Sequence, residues 1–132
     1  MKRIIKNLFK PFFKNVPGNI EKELFKHFPK AINVDWNKGI DAYEAVFYIE
    51  DVEYIAKIST KGEMLMFKKN LRISEVPELI QRNSKDFGEI MSAIAIYTGE
   101  NISFELIIRT PQLVRFMLLF DFAGNLTEKM TV

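Results

Sequence analysis

Acid–base, nucleophilic and metal chemistry in a protein draws on imidazoles, thiols and clustered carboxylates, and this chain is nearly bare of them. It has one histidine, His27, and no cysteine. Without a thiol there is no disulfide framework, no cysteine nucleophile and no thiolate metal site. Without a second imidazole, neither a hydrolytic triad nor a histidine-rich metal centre can be assembled. His27 stands between Lys26 and Phe28 near the end of an expected helix. The helix dipole favours a cation there, so a structural role is expected. The one carboxylate cluster is Glu50, Asp51 and Glu53 at an expected hairpin. These are weak candidates for Ca²⁺, because the alternating oxygen ligands about a central glycine of a dedicated calcium loop are missing; an acidic turn is the expected reading. The glycines stand singly at turns, so nothing cradles a phosphate. The expectation is a protein that is not an enzyme and carries no cofactor.

These residues sit in a chain that reads as written twice. Val16-Pro17 opens one helix-like run and Val76-Pro77 opens another about sixty residues later. Each is followed by a glycine turn (Gly39, Gly99), an aromatic–Glu pair (Tyr43-Glu44, Phe104-Glu105) and a second aromatic (Tyr54, Phe116). Each closes on a glycine-centred turn, at Gly62 and at Gly124. An internal repeat of this length sets the architecture before any other signal.

Periodicity says what each copy is. Val16, Ile20, Leu24 and Phe28 recur every four residues, with Pro17 suited to a first turn and Pro29 to a stop. In the second copy Ser74 is the expected N-cap, with Val76, Ile80 and Phe87 as a looser apolar stripe. After each helix the period drops to two. Ile32, Val34 and Trp36 alternate with polar residues, then Tyr43, Ala45, Phe47 and Ile49, then Tyr54, Ala56 and Ile58, and a short strand runs from Met64 to Lys68. The second copy repeats this over 94–97, 104–109, 115–120 and 126–130. The expected fold class is α+β: a tandem repeat of helix plus four-stranded antiparallel meander, over 16–70 and 74–132, with the helices packed on one face of the sheet. Trp36 is expected in the first core, against Ile20, Leu24 and Phe28.

Composition bounds the rest. The chain has 132 residues and a net charge of +2, but Lys2, Arg3, Lys6, Lys10 and Lys14 all precede the first acid. The remainder holds fourteen bases against seventeen acids. A basic arm on a mildly acidic body argues against nucleic acid, whose binders carry basic stripes on the folded body. Arm residues 1–15 place Ile4, Ile5, Leu8, Phe9, Phe12 and Phe13 on one helical face, with Pro11 as a kink. Lysines interrupt what a signal peptide would keep apolar, so no signal peptide is recognisable. A helix laid on the body is expected over an anchor at a membrane surface or a partner-docking helix. A start inside a longer precursor is a third reading. No apolar run is long enough to span a bilayer.

Phe28-Pro29-Lys30-Ala31, Val34-Asp35-Trp36, Tyr43-Glu44-Ala45-Val46-Phe47, Glu53-Tyr54 and Lys61-Gly62 together resemble the PepSY-like proteins of Bacteroidetes, related in fold to the β-lactamase inhibitor protein. The resemblance covers residues 16–132, strongly in the first copy and weakly in the second, where no tryptophan partners Trp36. It implies a non-enzymatic module, usually exported to the periplasm, that binds or inhibits other proteins.

One feature goes beyond that frame. If Tyr43, Ala45, Phe47, Phe104, Leu106 and Ile108 face the helices, the opposite face carries Val46, Tyr48, Ile55, Ile107, Met117 and Leu119, interspersed with Glu44, Lys57, Glu105 and Arg109. Strands favour such residues locally, yet if the two half-sheets are contiguous the six together form a larger apolar patch than monomers usually leave open. The expected binding residues are Val46, Tyr48, Ile55, Lys57, Ile107, Arg109, Met117 and Leu119. Their expected partner is another protein, a second copy, or the arm itself. The alternative is a calcium- or small-ligand-responsive structural module resting on Glu50, Asp51 and Glu53.

Overall fold

A computed structural model describes residues 16–132. The fold is α+β, and the chain divides into two compact units between Lys69 and Asn70. The first unit holds helix α1 (Gly18–His27) and strands β1 (Ile32–Lys38), β2 (Ala42–Ile49), β3 (Val52–Ser59) and β4 (Met64–Leu71, which runs two residues past the boundary). The second holds a 3₁₀ turn (Ile73–Glu75), helix α2 (Glu78–Ser84) and strands β5 (Glu89–Thr98), β6 (Asn101–Arg109), β7 (Arg115–Asp121) and β8 (Leu126–Thr131). Within each unit successive strands pair antiparallel.

Pro17 occupies the cap position of α1, its extended backbone turning the chain into the helix with its carbonyl accepting from Ile20 and Glu21 N–H. Glu21 in the first turn and Lys26 and His27 in the last complement the dipole. The helix buries Ile20 and Leu24 against Trp36, Tyr43, Ala45, Phe47, Ala56 and Ile58. Phe28 ends it and enters an aromatic cluster, its ring centroid 5.0 Å from Phe47 and Phe67 and 5.7 Å from Tyr54. Trp36, 7% exposed, lies in this core as its alternation with Val34 implied. In the second unit Val76 and Ile80 pack on Ala93, Ala95, Phe104, Leu106, Ile108, Leu118 and Phe120.

Several sequence expectations need correction. Ile32 does not continue the Val34–Trp36 face: it is 56% exposed. Asn33 has φ +53° and the register with β2 gains a residue between Ile32 and Asp35, a bulge that rotates the start of β1 outwards. Ser74 does not cap α2. Pro77 holds Val76 in extended backbone, so the helix begins only at Glu78, and Ser74 falls in the preceding 3₁₀ turn. That turn is closed by the Arg72 N–H donating to Glu75 Oε1 at 2.9 Å. Strand β5 begins at Glu89, not Ile94. Its register with β6 shifts between Ile90 and Ser92, which breaks the alternation that marks a strand in sequence. Gly88 permits the approach: at φ +148° an added Cβ would lie 2.4 Å from the Arg109 carbonyl oxygen. Strand β4 likewise runs on to Leu71, past the expected end at Lys68. The expected arm, 1–15, lies outside the described residues.

Candidate functional site

Cross-strand register places the candidate residues in rows on the face away from each helix. In the first unit one row runs Asn37, Glu44, Lys57, Met66 and the next runs Asp35, Val46, Ile55, Lys68. Tyr48 pairs with Glu53 beside them, and its hydroxyl donates to Glu53 Oε2 at 2.7 Å. The sequence expectation that Val46 and Ile55 lie open does not hold. Val46 is 4% exposed and Ile55 3%, and Glu53 is buried as well; of the expected first-unit residues Lys57 alone is exposed, with Tyr48 half-buried.

The second unit is different. One row runs Ile94, Glu105, Leu119, Glu128 and the next Ser92, Ile107, Met117, Met130. Ile94, Ile107, Met117 and Leu119 are all half-buried, and Met130 at the outer strand is 49% exposed. Arg109 sits at the end of β6, where its guanidinium lies 3.6 Å from Glu89 Oε2. The structure thus groups Val46, Tyr48, Ile55 and Lys57 on one unit, and Ile107, Arg109, Met117 and Leu119 on the other. Ile94 and Met130 were missed. Ile94 alternates with Ala93 and Ala95, which carry too little apolar area to announce an inward face, and Met130 lies among the polar residues of β8.

The acidic turn does not form a cluster. Glu50 and Asp51 are the two central residues of the β2–β3 hairpin, at φ +49° and +65°, while Glu53 is drawn into the strand beside Tyr48. Among the described residues no group of three His, Asp or Glu side chains is placed to hold a metal. His27 Nε2 lies 3.1 Å from Glu23 Oε2 one helical turn earlier, on an exposed flank of α1.

At the β1–β2 end of the first unit a recess of about 720 Å³ is lined by Asn37, Gly39, Asp41, Glu44 and Lys57 among others. Asn37 is 5% exposed, and among the described residues nothing donates to its Oδ1. A buried acceptor without a donor is costly, about 1–3 kcal/mol, so it favours whatever brings an N–H or O–H to it.

No protein-family model and no curated protein matches the chain. Solved structures do match its fold. A DUF2874 family protein from Bacteroides uniformis superposes with a TM-score of 0.81 at 16% identity, covering 89% of this chain and 91% of that one. A Bacteroides eggerthii protein, described provisionally as periplasmic, gives 0.81 at 16% over 89% and 90%. A BLIP-like protein from Bacteroides fragilis gives 0.77 at 17% over 91% and 89%. Identities this low show a shared fold and nothing finer. Among the described residues no helix is long and apolar enough to cross a membrane.

Proposed function

We propose that this chain is a non-enzymatic protein-binding module, inhibitor-like in that it acts by occluding a partner's surface, built from a duplicated helix-plus-four-strand unit. The observation that carries this reading is the outer face of the second unit. Ile94, Ile107, Met117, Leu119 and Met130 lie there in adjacent rows without being fully buried, with Glu105 and Glu128 interspersed and Arg109 at the end. A sheet that served only as scaffold would show water Thr, Lys and Glu at these positions; apolar side chains among charges are the composition of a recognition surface. The orphaned Asn37 acceptor in the first unit supports a partner that supplies hydrogen-bond donors. The BLIP-like neighbour and the PepSY-like resemblance support binding of proteins over catalysis, and export to the periplasm as the place where it occurs.

A calcium-responsive role, the alternative, rests on the acidic hairpin, and the placement of Glu53 inside the strand leaves that turn with two carboxylates.

The experiment is capture of partners by the intact protein, compared with Ile107→Lys, Met117→Asp and, as a control, Lys30→Glu on the exposed segment after α1. A charge placed in the centre of an interface costs about 2 kcal/mol or more, roughly 30-fold in affinity. The captured protein should be lost from both face variants and kept by the control. Retention of the same partner by Ile107→Lys and Met117→Asp overturns the reading.

A further inference from the structure

The outer face of the second unit is patterned along its strands as well as across them. One row carries the acids: Glu105 and Glu128, on either side of Leu119. The next row, Ser92, Ile107, Met117 and Met130, carries no charge. The row beyond it pairs Arg109 with Arg115 across β6 and β7, and Arg115 is exposed. Glu89 flanks Arg109 on the β5 side, mostly exposed and 3.6 Å from its guanidinium. From the acids to the arginines is four residues along a strand, about 14 Å. The face therefore runs from acidic through neutral to basic.

We infer that the occupant of this face is a second copy of the chain, packed sheet to sheet with its strands reversed. Copies of one chain associate most often about a two-fold axis, which makes every contact twice. An axis laid along the uncharged row turns the pattern onto itself. Ile107 and Met117 then meet their own counterparts. Arg115 of each copy lies over Leu119 of the other, between Glu105 and Glu128 of that copy, and Arg109 lies over Glu105. Complementary charges around an apolar centre fix orientation as well as adding attraction. An axis laid along the strands would set acids on acids and arginines on arginines, so the charges select the reversed arrangement.

Self-association through the edge of the sheet is the competing route, and β8, the edge strand, is guarded against it. Lys129 turns to the helix side, its ammonium 4.5 Å from the centre of the Phe116 ring and 5.3 Å from that of Phe87. A charge pointing inward on an edge strand disfavours the addition of another strand. The face is large enough for a reversible dimer. Four strands about 4.8 Å apart and seven residues at about 3.4 Å give a face of about 19 by 24 Å. Two such faces bury on the order of 1,000 Å² in total, at the low end for a specific interface.

This inference rests on the reading given under Proposed function, that the outer face of the second unit is a recognition surface, and names a second copy as its resting occupant. Any other protein that binds there competes with the dimer, so the strength of self-pairing sets the threshold for that binding.

Sedimentation equilibrium of the intact protein from about 1 μM to 1 mM tests it. The mass should rise from one chain to two, with half-association at about 10–100 μM, as expected for so small an interface. Arg115→Glu and Glu128→Lys should each weaken the dimer about tenfold, because each reversal acts twice across the axis. The double variant should associate more tightly than either single one, since the reversed charges again face each other. A second measurement needs no substitution: on dilution, the methyl resonances of Met117 and Met130 should shift while those of Met64 and Met66 in β4 stay. A single-chain mass up to 1 mM, a double variant weaker than both singles, or dilution shifts confined to Met64 and Met66 overturns the inference. The face reading is decided separately, by capture of a different protein and its loss from Ile107→Lys, so the two fail independently.

Discussion

Phe28 is where the first unit can be weighed most directly. It is 9% exposed at the end of α1, and its ring meets three others: Phe47 at 5.0 Å with planes tilted 50°, Phe67 at 5.0 Å edge-on at 80°, and Tyr54 at 5.7 Å tilted 55°. Truncation to alanine removes the transfer term and leaves a cavity, together about 3–5 kcal/mol. A unit of this size has a net stability of about 3–8 kcal/mol, so Phe28→Ala should leave the unit near or past its unfolding point in water. Phe28→Leu is therefore the informative change. It keeps most of the apolar volume and removes the ring–ring geometry, each pair being worth about 0.5–1.5 kcal/mol beyond area and the three not being additive. The expected loss is about 1–2 kcal/mol. Trp36 is the only tryptophan in the chain and belongs to this core, so its emission reports the first unit specifically. With a urea m-value of about 1–1.5 kcal/mol per molar, the midpoint should fall by about 1 M. The cycle with Phe67→Leu should show a coupling of about 0.5–1.5 kcal/mol. A midpoint shift too small to measure, with no coupling to Phe67, would mean that the rings only fill space, and the aromatic-cluster argument would fail.

Two further outcomes follow from local geometry. The β2–β3 hairpin has a two-residue loop with both central residues at positive φ, a type I′ geometry usually filled by Asn-Gly, and here Glu50 and Asp51 adopt it. Replacing both, Glu50→Asn with Asp51→Gly, should raise the Trp36-monitored stability by about 0.5–1 kcal/mol; a loss instead would show that the acidic side chains stabilise the turn. Asp121 closes the β7–β8 turn, and the Asn125 backbone N–H donating to its Oδ1 at 2.9 Å holds its carboxyl below the ordinary value of 3.8, aided by the Asn125 side chain. A carboxyl depressed in the folded state stabilises above its unfolded pKa and loses that contribution as pH falls through the folded one. Turn stability should therefore be full above about pH 4, decline as pH falls from there through the lowered pKa and be gone below it, read by NMR titration of Asp121, and Asp121→Asn should remove that acid limb.

How much of this was legible in the sequence depended on whether a residue's neighbours along the chain were enough to fix it. Helix α1 was legible because Ile20, Leu24 and Phe28 repeat at four and prolines mark both ends. Strands β2, β3, β6 and β7 were legible because the alternation Tyr43, Ala45, Phe47 and Phe104, Leu106, Ile108 is unbroken. Sequence reading failed at bulges. The extra residue near Asn33 and the shift at Ile90–Ser92 each reverse the parity of a strand, and parity is the whole of the signal. It failed again at Ser74, where the residue type favoured a cap but the constraint of Pro77 on Val76 moved the helix start three residues on.

The candidate site exposes a deeper limit. Alternation says which of two faces a side chain joins, and on that question Val46, Ile55, Ile107, Met117 and Leu119 were all placed correctly. It says nothing about what lies over the face. Val46 with Ile55 and Ile107 with Met117 are indistinguishable as strand pairs, yet the first pair is buried and the second is half-open. The alternation that made both units readable therefore hid the difference between them, and it is that difference that bears on the proposed function.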